Sequence, residues 1–191
     1  DRKSFEGFQE LGMEPVFDTH EALERASVVV DCTPSGVGHQ NKAEYYENYT
    51  GNTRGFIAQG SEFGFGKMYA RGINDEALKH GEDRFLHVVS CNTHNIAALV
   101  HSIGMDDGKA DNLESGRFLC IRRANDISQD EKFIPSPQVG SHKDSRFGTH
   151  HARDAYPLFQ TLEKELDLYS SAIKINSQYM HIIHFSLKLK K

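Results

Sequence analysis

Ser27-Val28-Val29-Val30-Asp31-Cys32, followed by Thr33-Pro34-Ser35-Gly36-Val37-Gly38, decides the fold. A continuous β-branched run predicts a strand buried on both faces of a parallel sheet. The residues before it predict a helix, with Asp18 or Thr19 able to cap its start and Ala22, Leu23 and Ala26 on its inner face. Helix, buried strand, loop, helix is the pattern of a doubly wound α/β domain. The loop after the strand lies at its carboxyl end, where open α/β sheets bind their ligands. It carries G-x-G but not the third glycine of a dinucleotide fingerprint, since Gln40-Asn41 follows. Its glycines therefore read either as a ligand loop or as a tight turn.

Upstream of that stretch, Phe5, Phe8, Leu11 and Gly12 predict a short helix with a glycine near its end, and Glu14 to Phe17 a brief extended piece. Downstream, a helix is expected from Asn41 to Tyr49, then a strand Gly55 to Gly60 and an irregular loop Ser61 to Gly66. Helical propensity over Asn74 to His80 ends at Gly81, and the apolar run Phe85 to Val89 predicts another strand. Thr33, Gly60 and Cys91 then stand at three strand-ends that point at one crevice.

The second half reads differently. A polar, glycine-containing loop (105–116) leads to a strand from Arg117 to Arg123. Asp126 to Lys132 is polar, and Phe133 to Pro137 is extended and fixed by prolines. Leu158 to Leu168 has an amphipathic helical pattern, Ala172 to Ile175 and Met180 to Phe185 read as strands, and Phe185 to Lys191 alternates as a strand does. The expected fold class is thus α/β: a partial doubly wound, Rossmann-like parallel sheet followed by an α+β domain with a mostly antiparallel or mixed sheet.

The chain has 191 residues, 38% hydrophobic and 26% charged, with a formal net charge of −5. No stretch approaches the roughly 18 apolar residues of a membrane span. The absence of a long basic block argues against nucleic acid as the main partner. Cys32, Cys91 and Cys120 are widely spaced with no C-x-x-C pair. Such sparse usage fits a reducing, cytoplasmic compartment and thiol chemistry better than a disulfide framework.

Cys91 follows a strand and opens an apolar helix, so it stands beside a helix N-terminus, where unpaired N–H groups and the helix dipole favour the thiolate. The competing reading is a small buried cysteine at the end of a core strand. Arg122-Arg123 close a strand in an acidic protein: either both meet solvent, or they form an anion site, since guanidinium matches phosphate bidentately. His150-His151 supply a candidate base for a thiol enzyme. The histidines also admit a metal reading, but His150-His151 and His181-x-x-His184 form no recognised closed zinc set, and no metal is expected.

Val28 to Gly38, Gln59-Gly60, Val88 to Thr93, Ile121-Arg122-Arg123-Ala124, Thr149 to Asp154 and Met180-His181 occur in the order in which similar blocks stand in the archaeal, type II glyceraldehyde-3-phosphate dehydrogenases, and the chain resembles that family nearly throughout. The resemblance implies residues 1–89 as the C-terminal part of a dinucleotide-binding domain and 90–191 as a partial catalytic domain. It implies Cys91 as nucleophile and His151 as base. Ser90, Asn92, Thr93, Arg122 and His150 would hold substrate and phosphate, and Thr33, Pro34, Gly36, Gly60 and Arg123 the NAD or NADP cofactor. Further implications are a phosphorylated aldehyde and inorganic phosphate as partners, a place in glycolysis, and a homo-oligomer, typically a tetramer. The chain departs from the family at Ser61 and Phe63, where the pattern reads Q-G-G-E-K. It departs again at His94, which replaces a second Thr, and in the apolar Ile96 to Val100, which lacks an arginine. The glycine-rich first strand and the end of the catalytic domain are absent from this stretch, so it reads as a fragment. Two alternatives stay open: a semialdehyde dehydrogenase with the same thioester chemistry, and a truncated, non-catalytic binding or assembly module.

Overall fold

A computed structural model describes residues 2–109, 111–123, 136–177 and 179–190. Most of the polar and proline-fixed stretches expected over Asp126 to Pro137 lies outside the described residues. Helix α1 (Arg2–Glu10) ends in a turn through Gly12, whose φ of 72° is left-handed. Helix α2 (Thr19–Arg25) opens with a capping box: the Asp18 carboxylate accepts from Glu21 N at 2.9 Å, and Glu21 returns the bond to Asp18 N at 3.0 Å.

Strand β1 (Val28–Asp31) feeds helix α3 (Val37–Asn41), which runs on as a π-helical turn (Lys42–Tyr46). Strands β2 (Gly55–Gly60), β3 (Lys67–Tyr69) and β4 (Phe85–Val89) complete a four-stranded sheet in the order β1-β2-β4-β3, parallel throughout. Helix α4 (Cys91–Leu99) leaves β4 directly and continues in a π turn (Val100–Gly104).

The second sheet is mixed. Strands β5 (Leu113–Arg122), β6 (Gln138–Val139), β7 (Leu168–Lys174) and β8 (Ile182–Leu189) lie in the order β6-β7-β5-β8. β5 and β7 are parallel, and the two outer strands are antiparallel to their neighbours. Helix α5 (His150–Gln160) sits between β6 and β7 in sequence and packs on α4 and β7. The two-sheet α/β reading of the sequence therefore stands.

Two apolar clusters hold the elements together. In the first, Tyr46, Phe56 and Phe85 stack in series, with ring centroids 4.6 and 5.4 Å apart, against Leu23, Ala58 and Phe65. The second joins the sheets: Met68 and Val89 from one, Phe118, Cys120, Leu168 and Ala172 from the other, with Ile96, Ala97, Leu158 and Phe159 of α4 and α5 between. Truncating a fully buried ring such as Phe56 to alanine costs about 3–5 kcal/mol in cores of this kind.

Some bounds move: α3 opens at Val37 rather than Asn41, and β5 and β7 begin at Leu113 and Leu168 rather than Arg117 and Ala172. Other local predictions fail outright. β1 is an edge strand among the described residues, so Val28 and Val30 are 51% and 58% exposed rather than buried on both faces. Lys67–Tyr69 is a strand just past the expected loop Ser61 to Gly66, where the sequence predicts no element, because three residues give no periodic signal. The helix expected over Asn74 to His80 shrinks to a 3-10 turn (Asp75–Ala77). The helix expected over Leu158 to Leu168 instead begins at His150 and ends at Gln160 despite Pro157, with Glu163 left-handed at φ 59° just beyond. Among the described residues no helix is long and apolar enough to cross a membrane.

Candidate active site

Cys91 is the first residue of α4 and is exposed. Ser90, the N-cap, turns its hydroxyl to that of Thr93 at 3.0 Å and caps no backbone N–H of the first turn. Beside them, Asn92 is 2% exposed, yet its Oδ1 has no hydrogen-bond partner among the described residues. An exposed thiol stands beside an orphaned buried amide oxygen, which can accept a hydrogen bond from a ligand hydroxyl. The core-cysteine reading belongs instead to Cys120, whose thiol is pushed up to about 11 by burial, with Cys91 adding to the rise and Arg122 opposing it.

Cys120 lies on β5 two residues before Arg122, where that strand ends. Arg122 lines a cavity of about 310 Å³ together with Gln138 and Ser141, with Thr149, His150 and His151 at the start of α5, and with Lys174 at the end of β7. The Arg122 Nε is buried and has no hydrogen-bond partner among the described residues. A cavity with two cationic side chains and an unused guanidinium donor suits an anion. Arg123 does not line it, because the strand has ended; its backbone N–H donates to His181 Nδ1 at 3.2 Å.

His151 is 1% exposed and packs its ring 3.9 Å, centroid to centroid, from that of His150. Burial, then the charges of His150, Arg122 and His181, push its pKa down to about 3, so the imidazole is neutral near neutrality. His150 is lowered by partial burial and by Arg122 and Arg153, but its residue surface is exposed and solvent screens part of that effect. Arg153 is engaged by the buried Asp154 at 2.7 Å and lies 4.6 Å from the Phe63 ring centroid.

On the first sheet, the strand-end residues are tied to one another. Asp31, 5% exposed, accepts from the backbone N–H of Thr33 at 3.0 Å and its hydroxyl at 2.5 Å, from Asn41 at 2.9 Å and from Tyr46 at 2.9 Å. Burial works against the charged form, but these bonds outweigh it and hold the carboxyl below its ordinary value. The Gly36 N–H donates to the buried Glu62 at 2.5 Å and the His39 N–H to the same carboxylate at 3.1 Å, so the start of α3 is occupied by a protein carboxylate. Gly36 and Gly60 are left-handed, at φ 86° and 74°, and nothing lies within 4 Å of where their Cβ atoms would stand. The start of α3, taken up by Glu62, does not offer itself to a phosphate.

Sequence reasoning brings out Cys91, Arg122 and the His150-His151 pair, but it passes over Glu62, Thr149 and Ser170, and the buried His87, whose Nε2 bonds the Gly60 carbonyl at 3.0 Å. Their signal is a polar residue in an apolar context, legible only once burial is known. Among the described residues no three of His, Cys, Asp and Glu come together as a metal site.

No family model matches the chain. Glyceraldehyde-3-phosphate dehydrogenase 2 of Methanosarcina acetivorans is 28% identical over 192 residues, covering 98% of this chain and 52% of that protein. Glyceraldehyde-3-phosphate dehydrogenase of Aeropyrum pernix is 30% identical over 199 residues, 99% of this chain and 51% of its own length. The Archaeoglobus fulgidus protein of the same name is 26% identical over 202 residues, 99% and 52%. The chain spans about half the length of the curated relatives it matches. Over nearly its whole length it is similar to archaeal glyceraldehyde-3-phosphate dehydrogenases.

Proposed function

We propose that this chain carries the thiol site of a phosphorylating glyceraldehyde-3-phosphate dehydrogenase, with residues 1–89 serving the cofactor and 90–191 the substrate. The observation that supports it is the exposed Cys91 at the start of α4, on a helix that packs on α5, whose first residues His150 and His151 line with Arg122 a cavity that Cys91 itself does not line. The Cys91 thiolate adds to the aldehyde carbon to give a thiohemiacetal, and the carbonyl electron pair moves to oxygen. The first-turn amides and Asn92 hold that oxygen. Collapse of the thiohemiacetal expels hydride and leaves a thioester on Cys91. A bound nicotinamide dinucleotide, NAD or NADP, supplies the hydride acceptor. An oxygen of inorganic phosphate then attacks the acyl carbon, the C–S bond breaks, and the Cys91 thiolate returns as the acyl phosphate leaves.

His151, neutral in the resting site, takes the thiol proton once an anion offsets the charge of Arg122. Arg122, His150, Ser90 and Thr93 hold the phosphorylated aldehyde and phosphate. Gly60, Pro34, Thr33, Gly36 and Arg123 border the nicotinamide end. In this reading the whole protein acts in the cytoplasm as a homo-oligomer.

Peptide mapping after iodoacetamide treatment tests the reading on the full chain. Cys91 is expected to label about tenfold faster than Cys32, which is also exposed, with protection by glyceraldehyde 3-phosphate. Equal, slow labelling of Cys32 and Cys91 without protection overturns it. Protection by aspartate semialdehyde alone overturns the substrate and favours the related semialdehyde chemistry.

A further inference from the structure

Thr149 and Ser170 are 4% and 0% exposed, and hydroxyls that deep are costly unless every hydrogen bond is made. Thr149 is the N-cap of α5, but its side chain does not cap the helix. It bonds His151 Nδ1 at 3.0 Å and Ser170 Oγ at 2.6 Å, while Ser170 Oγ accepts from the Ala152 N–H at 3.0 Å. The two hydroxyls thus form a closed chain from the helix backbone to one ring nitrogen of His151. No carboxylate takes part, since the neighbouring Asp154 is engaged by Arg153.

Each hydroxyl has a single proton to place. Ser170 can give its own to Thr149 Oγ1 at 2.6 Å or to the Thr149 carbonyl at 3.4 Å, and the short bond is the better one. With Thr149 Oγ1 accepting from Ser170, its own proton points to His151 Nδ1. That nitrogen must then be the bare one. We propose that Thr149 and Ser170 are positioning residues that set the tautomer of His151, placing its ring proton on Nε2 and leaving Nδ1 as acceptor.

The inference deepens the proposed function and rests on it for its use, though not for its geometry. With its proton on Nε2, the nitrogen that Thr149 does not bond, resting His151 presents a donor, suited to hold an anion or a thiolate. Reversing both hydroxyls gives the other tautomer, in which Nδ1–H donates to Thr149 and Nε2 can take a proton. That state relies on the 3.4 Å bond from Ser170 to the Thr149 carbonyl and is the minor one. A hydroxyl chain can turn round in this way, whereas a carboxylate orienter cannot, because it only accepts.

Nitrogen-15 NMR of histidine-labelled full chain, read through ring-proton couplings and assigned with His151→Gln, tests it. The expected wild-type result is the Nε2–H tautomer with Nδ1 accepting a hydrogen bond. In Thr149→Val the Nδ1 resonance shifts to that of an unbonded ring nitrogen, and Thr149→Ser restores it. A ring proton on Nδ1 in the wild-type chain overturns the proposal whether or not any variant folds, as does an unchanged spectrum in folded Thr149→Val. Because this readout needs no substrate, the tautomer and the Cys91 labelling pattern fail independently.

Discussion

The carboxyl ends of the two sheets treat their polar groups in opposite ways. At the first sheet, Asp31 has four bonds and Glu62 two from backbone amides, so the loop Thr33 to Gly38 is braced from within. At the second, Arg122 Nε is buried with no partner among the described residues, and His151 is held neutral beside cationic neighbours. Satisfied polar groups stabilise a fold; unsatisfied ones are tolerated where something else binds. The first end therefore acts as a rigid floor, and the second keeps capacity in reserve for an anion.

That contrast is broken most directly at Asp31. Replacing it by alanine strands the buried Tyr46 hydroxyl and removes the acceptor of the half-buried Asn41 and the exposed Thr33, and a loss of about 4 kcal/mol is expected from urea unfolding. A loss under 1 kcal/mol would remove the floor from the argument.

His151 sharpens it through pH. Its folded pKa lies below the unfolded value, so the unfolded chain binds the extra proton across that interval, and stability falls as pH drops from about 6.5 toward the folded value near 3. The decline between pH 6.5 and 4 should be ~3 kcal/mol from this group. His151→Gln should flatten it in pH-dependent urea titrations; an unchanged slope would mean that the imidazole is charged in the fold.

The smallest effect is expected at Arg122. Because its buried Nε bonds nothing among the described residues, Arg122→Gln should leave the urea midpoint within ~0.5 kcal/mol of wild type. The same change should weaken protection of Cys91 by glyceraldehyde 3-phosphate. A large destabilisation would show Arg122 to be structural, like Asp31, and erase the difference between the two ends.

Local pattern was enough for β2 and β4, whose runs Gly55–Gly60 and Phe85–Val89 appear with the bounds read from sequence, and for the Asp18 cap of α2. It failed where a neighbour decides the outcome. Val28-Val29-Val30 has the composition of a central strand, but which strands flank it is a matter of pairing, and among the described residues only β2 does. Helix α5 begins earlier than its apolar pattern predicts because His150 to Asp154 is polar except for Ala152, and the burial of His151, Ala152 and Asp154 outweighs their weak helical pattern. β3 is too short to show a period and exists because β4 offers it an edge.

For the site, sequence alone determined that a cysteine follows a strand and starts a helix, and that paired arginines close another strand, because both depend on residues adjacent in the chain. The tertiary structure decided the rest. It exposed Cys91 and buried Cys120, sent Arg122 but not Arg123 into the cavity, and joined Ser170 to His151 through Thr149. These outcomes turn on burial and on hydrogen bonds between residues far apart in sequence, which leave no local period or motif to read.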